Sequence, residues 1–178
     1  LETCDFIQAK GGALMESQGG KYVTFLLAQE NYGIPIKKVK EIIGMTEITH
    51  IPKTQSHIKG VVNLRGKIIP LMDLRLKFGM AEKPYDERTC IIMIEVHLSD
   101  TQRLVGVVVD AVSDVVKINK GDIEPSPEYS AQNEGDLLLG IGKLKEKVIL
   151  ILNIEKILNR QEITILERGD IFQETQTN

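Results

Sequence analysis

The chain repeats itself weakly in two places. "GIPIKKVKEII" (33–43) aligns with "GVVVDAVSDVV" (106–116), so that Gly33 meets Gly106, Val39 meets Val112 and Glu41 meets Asp114, at an offset of 73 residues. "GVVNLRGKIIPLMDL" (60–74) aligns with "GIGKLKEKVILILNI" (140–154) at an offset of 80 residues. Here Gly60 meets Gly140, Leu64 meets Leu144, Arg65 meets Lys145, Lys67 meets Lys147 and Asp73 meets Asn153. The extra residues fall in a proline-containing loop, where insertions are tolerated. Recurrence at fixed spacing marks a duplicated unit. Chance likeness between Val- and Ile-rich strands is the competing explanation. Units of roughly 65 residues are small for independent cores. Two such units, one after the other, are expected to pack together and leave a groove between them.

The units are expected to be β. Tryptophan is absent and aromatics make up only 4% of 178 residues, so the core must come from Ile, Val and Leu. The β-branched members of that set favour strands. "YVTFLLA" and "YGIPI" flank the polar "QEN" and read as a hairpin. "KKVKEII" reads as strand or a short turn of helix, and "EITHIPKTQSHIKG" as a loop in which Pro52 blocks pairing. "GVVNLRGKIIPLMDL" reads as strand, corner, strand, with Gly66 taking positive φ at the corner. "RLKFG" predicts a short helix ended by Gly79, and "AEKPYDER" a linker. "TCIIMIEV" and "LVGVVVDAVSDVV" read as apolar strands, "NKGDIEPSPEYSAQNEGD" as a long loop, and "LLLGIGKLKEKVILILNI" as a second strand–corner–strand. "IEKILNRQEI" has helical apolar spacing. Residues 1–20 are patternless and read as a flexible tail, with Met15 an expected alternative start of translation. Residues 167–178 read as a second tail.

Composition removes several classes of function. A net charge of -3 and a pI near 5.7, with no Lys/Arg cluster interleaved with aromatics, argue against nucleic acid as partner. The longest apolar runs fall far short of the roughly 20 residues of a membrane helix, so no direct membrane insertion is expected. No basic region precedes an apolar stretch at the N-terminus, so no secretory signal is expected. Cys4 and Cys90 make no disulfide framework, and Cys90 is expected to pack as a small hydrophobe in its strand. These features suit a reducing cytoplasm.

Chemistry is equally sparse. His50, His57 and His97 lack ligand spacing, and no CxxC, HxH or HExxH occurs. There is no GxSxG around Ser56, Ser113, Ser126 or Ser130. "GVVNLRGK" is not a phosphate loop, and no cofactor is expected. Asp73, Asp110 and Glu41 lie in or beside apolar strands and remain possible acids or bases, although carboxylates so placed more often pair with arginine or backbone N–H groups. Arg65 stands at a tight corner between apolar strands and needs a carboxylate or a groove to face. Glu41 is the expected partner, in a bidentate pair. Such a pair is either structural or fixes the shape of a recognition surface.

The phrases "YGIPIKKVKEII", "IPKTQSHIKGVVNLRGKIIPLMDLRLKFG", "GVVVDAVSDVVKI", "IEPSPE" and "LLLGIGKLKEKVILILNIEKIL" resemble the CheW family of chemotaxis coupling proteins, over about residues 21–166. "IKGVVNLRGKIIPLMDLR" is highly specific to CheW-like domains. The resemblance implies a mainly β fold. Two SH3-like five-stranded β-barrel subdomains, pseudo-repeated and intertwined, share a hydrophobic core, with short helices and a C-terminal helix. It implies a non-catalytic adaptor without cofactors. Such an adaptor joins the histidine kinase CheA, through the kinase's CheW-like regulatory domain, to the cytoplasmic tips of methyl-accepting chemotaxis proteins. It is cytoplasmic and tied to the receptor array through protein partners. Glu41 and Arg65 match the acidic residue of the family's "VxEI" and the arginine of its "NLRG", a pair tied to signalling. Val39, Gly60, Cys90, Val115 and Gly140 match positions around the receptor-contacting groove, with Gly106 and Val112 in the same region. Cys90 stands where many relatives carry an aliphatic residue. Kinase contacts are expected mainly on the first barrel. Gly60→Asp is expected to abolish receptor binding with the fold kept. The competing classes are an all-β enzyme using Asp73 or Asp110, and a paralogous coupling protein of a non-flagellar chemosensory pathway.

Overall fold

The computed structural model describes residues 19–98, 101–125, 137–157 and 162. Cys4, Ser126, Ser130, both tails beyond Gly19 and most of the expected C-terminal helix lie outside these residues. The strands are β1 (Gly20–Leu27), β2 (Glu30–Pro35), β3 (Val39–Gly44), β4 (Ile58–Leu64), β5 (Lys67–Asp73), β6 (Cys90–Leu98), β7 (Thr101–Val109), β8 (Ala111–Ile118), β9 (Ile123–Glu124), β10 (Leu138–Leu144) and β11 (Lys147–Leu152). One short helix, α1 (Leu74–Lys77), follows β5.

The strands form two sheets. The first has the order β3-β6-β7-β5-β4 and the second β8-β1-β2-β11-β10-β9. The first is contiguous in sequence. The second is split: the chain lays down the β1–β2 hairpin, builds the whole contiguous sheet, and returns to finish the one it began. The repeats therefore do not fold as successive units. The contiguous sheet takes β3, β4 and β5 from the first repeat and β6 and β7 from the second, and the split sheet does the reverse. Parallel ladders join the halves: Gly33 lies opposite Ile151, and Leu71 opposite Gly106. These four positions are related by the two offsets read from the sequence.

The likeness extends to the irregularities. β3 slips register between Val39 and Glu41, and β8 is out of step at the equivalent place, where Val112 faces Phe25 and Asp114 faces Thr24. β4 slips between Ile58 and Gly60, and β10 between Leu138 and Gly140. Such bulges bend strands and suit sheets that curl into barrels.

Alternation along the strands sorts side chains into three clusters. Ile91 and Met93 of β6 face the interior of the contiguous barrel with Val62, Ile69, Leu71 and Val108. Ile92, Ile94 and Val96 face the other way, into a core shared with Phe25, Leu27, Tyr32 and Ile34 of the split sheet. Tyr22, Ile118, Ile149 and Ile151 fill the split barrel. Phe25, Tyr32 and Phe78 stack in series through the shared core, with centroids 5.9 and 6.0 Å apart.

Most of the expected elements are present. The first hairpin turns on Ala28 and Gln29, both at positive φ, as a two-residue loop requires. "KKVKEII" is both alternatives in turn, a 3-10 turn over Ile36–Lys38 and then β3. Gly79 and Met80 donate to the carbonyls of Leu76 and Arg75, closing α1 in a Schellman motif. Two readings are corrected. "LVGVVVDAVSDVV" is two strands, broken at Asp110, and the long loop contains β9. Of the expected C-terminal helix, the described residues show a 3-10 turn over Ile154–Lys156 and Glu162 in helical conformation.

Asp110 breaks the strand because its polar groups are engaged where the chain crosses between barrels. Its N–H donates to Leu26 O, and its Oδ2 accepts from Ala28 N at 2.9 Å and Arg75 Nη1 at 2.6 Å. Arg75 Nε donates to Ala81 O. Both charged side chains are largely buried, at 16% and 15% exposure. Removing one member of such a pair strands the other. Asp110→Ala should therefore lower stability by about 3 kcal/mol in urea unfolding at neutral pH. A loss under about 1 kcal/mol would mean that the pair acts as an ordinary surface contact.

Candidate interaction surface

The sharpest polar feature at the surface is the corner between β4 and β5. Arg65 and Gly66 both take positive φ, 52° and 84°, and the Asn63 side-chain oxygen accepts from Gly66 N. Left-handed backbone is cheap for glycine and costly for arginine. Sequence reasoning assigned it only to Gly66. Lys145 repeats the conformation at φ 56° in the split barrel.

This backbone aims Arg65 across the barrel's seam at Glu41 on β3. Nη2 donates to Oε2 at 2.6 Å and Nη1 to Oε1 at 3.1 Å, a bidentate fork. The hydrogen bond from Arg65, opposed by desolvation and helped by the guanidinium charge, holds the Glu41 carboxyl below its ordinary pKa. The Arg65 side chain is 72% exposed and that of Glu41 34%, so the pair is presented to solvent. Among the described residues no ion pair joins the equivalent Lys145 and Asp114, whose Oδ1 accepts instead from Val115 N.

The other expected site residues fall in three places. Val39, Cys90 and Val112 are half-buried on the flank of the shared core, with Val39 opposite Ile94 and Val112 opposite Phe25. Cys90 Sγ also lies 3.3 Å from Arg88 O. Val115 is exposed on β8, as is Ile42 at the equivalent position of β3. Gly60, Gly106 and Gly140 are buried against the chain itself. A Cβ on Gly60 would lie 2.1 Å from Thr49 O, one on Gly140 2.8 Å from Glu124 O, and one on Gly106 2.8 Å from Leu71 Cδ1. Gly60→Asp, expected to keep the fold, would therefore have to displace the Thr49 backbone.

The carboxylates that composition left open for catalysis are tied into the fold. Buried Asp73 caps α1 through Leu76 N and accepts from Tyr85 Oη at 2.8 Å. Burial, then that bond, raises the Tyr85 hydroxyl above its usual pKa. Sequence reasoning missed a further buried carboxylate. Glu162, 1% exposed, accepts from Lys77 Nζ at 2.8 and 3.0 Å and contacts His57 Nε2. Its partners are far away in sequence, so no local pattern marks it.

The depressed Glu41 pKa fixes a pH dependence. Because the folded value lies below the unfolded one, the pair's stabilisation is complete above the unfolded value. It is lost as pH falls through the folded value. In an NMR titration, Glu41 should titrate below the ordinary glutamate range and return to that range in Arg65→Ala. An unchanged midpoint in the variant would show that the fork does not hold the carboxylate in solution.

Comparison with known proteins fits this architecture. A family model described as the CheW-like domain matches residues 21–162. Chemotaxis protein CheW of Klebsiella aerogenes is 41% identical over 152 residues, covering 85% of this chain and 89% of that protein. CheW of Helicobacter pylori is 32% identical over 140 residues, covering 79% and 82%. The crystal structure of the scaffolding protein TtCheW from Thermoanaerobacter tengcongensis superposes with a TM-score of 0.71 at 36% identity, covering 82% of this chain and 97% of that one. Among the described residues no helix is long and apolar enough to cross a membrane. With the family model spanning most of its length and these relatives matching along it, this chain belongs to the CheW-like domain family, a chemotaxis scaffold protein and not an enzyme.

Proposed function

We propose that this chain couples the histidine kinase CheA to the cytoplasmic tips of methyl-accepting chemotaxis proteins, in the cytoplasm beside the receptor array. The observation that carries the reading is the exposed Arg65–Glu41 fork on a left-handed corner. An exposed ion pair adds little to stability. A pre-ordered arginine, by contrast, is a common anchor of protein interfaces, because its planar donors are already aimed. The left-handed corner is what a two-residue hairpin loop requires, and it aims the arginine at Glu41 on the exposed surface.

The apolar part of the surface suits a helical partner. A receptor tip is a helical hairpin, and one apolar helix face docks on a shallow apolar strip. Val39, Val112 and Cys90, each half-buried against the shared core, and the exposed Val115 are the apolar residues offered to such a partner. The kinase is expected to engage mainly the contiguous barrel. Each contact is small and weak, as suits an array held by many simultaneous contacts.

The test is capture of purified cognate CheA, with thermal melts of wild type and Arg65→Ala. Wild type should retain the kinase. Arg65→Ala should melt within a few degrees of wild type and lower receptor-dependent kinase activation by about tenfold, or about 1.4 kcal/mol of coupling. Retention of neither kinase nor receptor by wild type would refute the coupling role.

A further inference from the structure

We infer that Gly60 and Thr49 are positioning residues for the Arg65–Glu41 fork, acting by closing the seam of the contiguous barrel rather than by touching a partner. The seam lies between the two edge strands, β3 and β4. Among the described residues, three contacts cross it. The fork joins Glu41 of β3 to the far end of β4. Thr49, on the chain leaving β3, exchanges both backbone hydrogen bonds with Val61 of β4, each at 2.9 Å. Beneath them Ile43, Met45, Ile48 and Leu64 close over the barrel's interior cluster.

Gly60 allows the middle contact. Its φ is +136°, a conformation that L side chains rarely adopt, and its Cβ position is filled by Thr49 O. Any side chain there must push the Thr49 segment off β4 or straighten the bulge at Gly60. Either change displaces β4 relative to β3. Arg65 lies five residues beyond Gly60, at the corner that ends β4, and Glu41 eight residues before Thr49. The fork needs two bonds at once, so a shift of about 1 Å takes at least one of them out of hydrogen-bond range.

The split barrel supplies the internal control. Glu124 of β9 pairs with Ile141 as Thr49 pairs with Val61, and Gly140 presses on Glu124 O as Gly60 presses on Thr49 O. Its corner residue, Lys145, makes no ion pair with Asp114 among the described residues. A seam defect there leaves no fork to break.

The experiment follows the Glu41 carboxyl by NMR titration in four proteins: wild type, Gly60→Ala, Thr49→Pro and Gly140→Ala. Thr49→Pro deletes the N–H donated to Val61 while adding no clash at Gly60, so it decides the matter if Gly60→Ala does not fold. In Gly60→Ala and Thr49→Pro the Glu41 midpoint should rise towards the ordinary glutamate value. In Gly140→Ala it should stay depressed. A folded Thr49→Pro or Gly60→Ala with an unmoved Glu41 midpoint would overturn the inference. So would an equal rise in Gly140→Ala. The step from fork to partner rests on the coupling role proposed above, and the two are separable. If the midpoint rises and CheA and receptor binding is unaffected, the positioning stands and the fork's part in coupling falls.

Discussion

The fold depends on two short parallel ladders, Gly33 opposite Ile151 and Leu71 opposite Gly106. Among the described residues they are the pairings that tie β2 to β11 and β7 to β5, and each joins strands from different repeats. Without them the contiguous sheet loses its inner partner for β5, and the split sheet falls into two three-stranded pieces, β8-β1-β2 and β11-β10-β9. Gly33 and Gly106 occupy equivalent places in these ladders. Next to Gly106 the side chains of Leu71 and Ile91 leave no room for a Cβ, so the ladder is as close as the barrel core permits. The shared core is the consequence. Its apolar faces come from both sheets, and neither repeat contains every strand of either sheet.

A surface corner gains definition from that rigidity. Arg65 has a long side chain with many rotamers, and its ordering costs entropy. Here its backbone is fixed by the turn, its guanidinium by Glu41, and the strand beneath it by the seam. The split barrel repeats the left-handed first corner residue at Lys145 but not the positive φ of Gly66, and it carries a lysine and a shorter carboxylate, Asp114, at the places of Arg65 and Glu41. Lysine offers a point charge rather than a planar fork, and aspartate reaches less far. One half of a duplicated fold thus carries a planar fork from its corner to the opposite edge strand, whereas the other pairs Lys143 of β10 with Glu124 of β9 instead.

Much of the architecture was legible in the sequence. The repeat could be read because equivalent strands meet equivalent neighbours, and Gly60/Gly140 and Arg65/Lys145 recur for backbone reasons. The hairpins were legible because turn chemistry is local. The Arg65–Glu41 pair was expected because a lone arginine between apolar strands needs a carboxylate. What was hidden is non-local. The repeat alone suggested two successive units, because strand identity does not state which sheet a strand joins, and only the family resemblance implied that they intertwine. The break at Asp110 was hidden because its partners, Ala28 and Arg75, are distant in sequence. Gly60 looked like a partner-facing glycine, and only the Thr49 carbonyl beside it shows a structural demand.

The central claim is that the exchange makes two barrels one cooperative unit, and native-state hydrogen exchange tests it most directly. Amides of β1–β2 in the split sheet and of β6–β7 in the contiguous sheet should approach the same limiting opening free energy as denaturant is added, because neither sheet survives the loss of the other. Two separate limits, with one sheet still protected after the other has opened, would contradict the account.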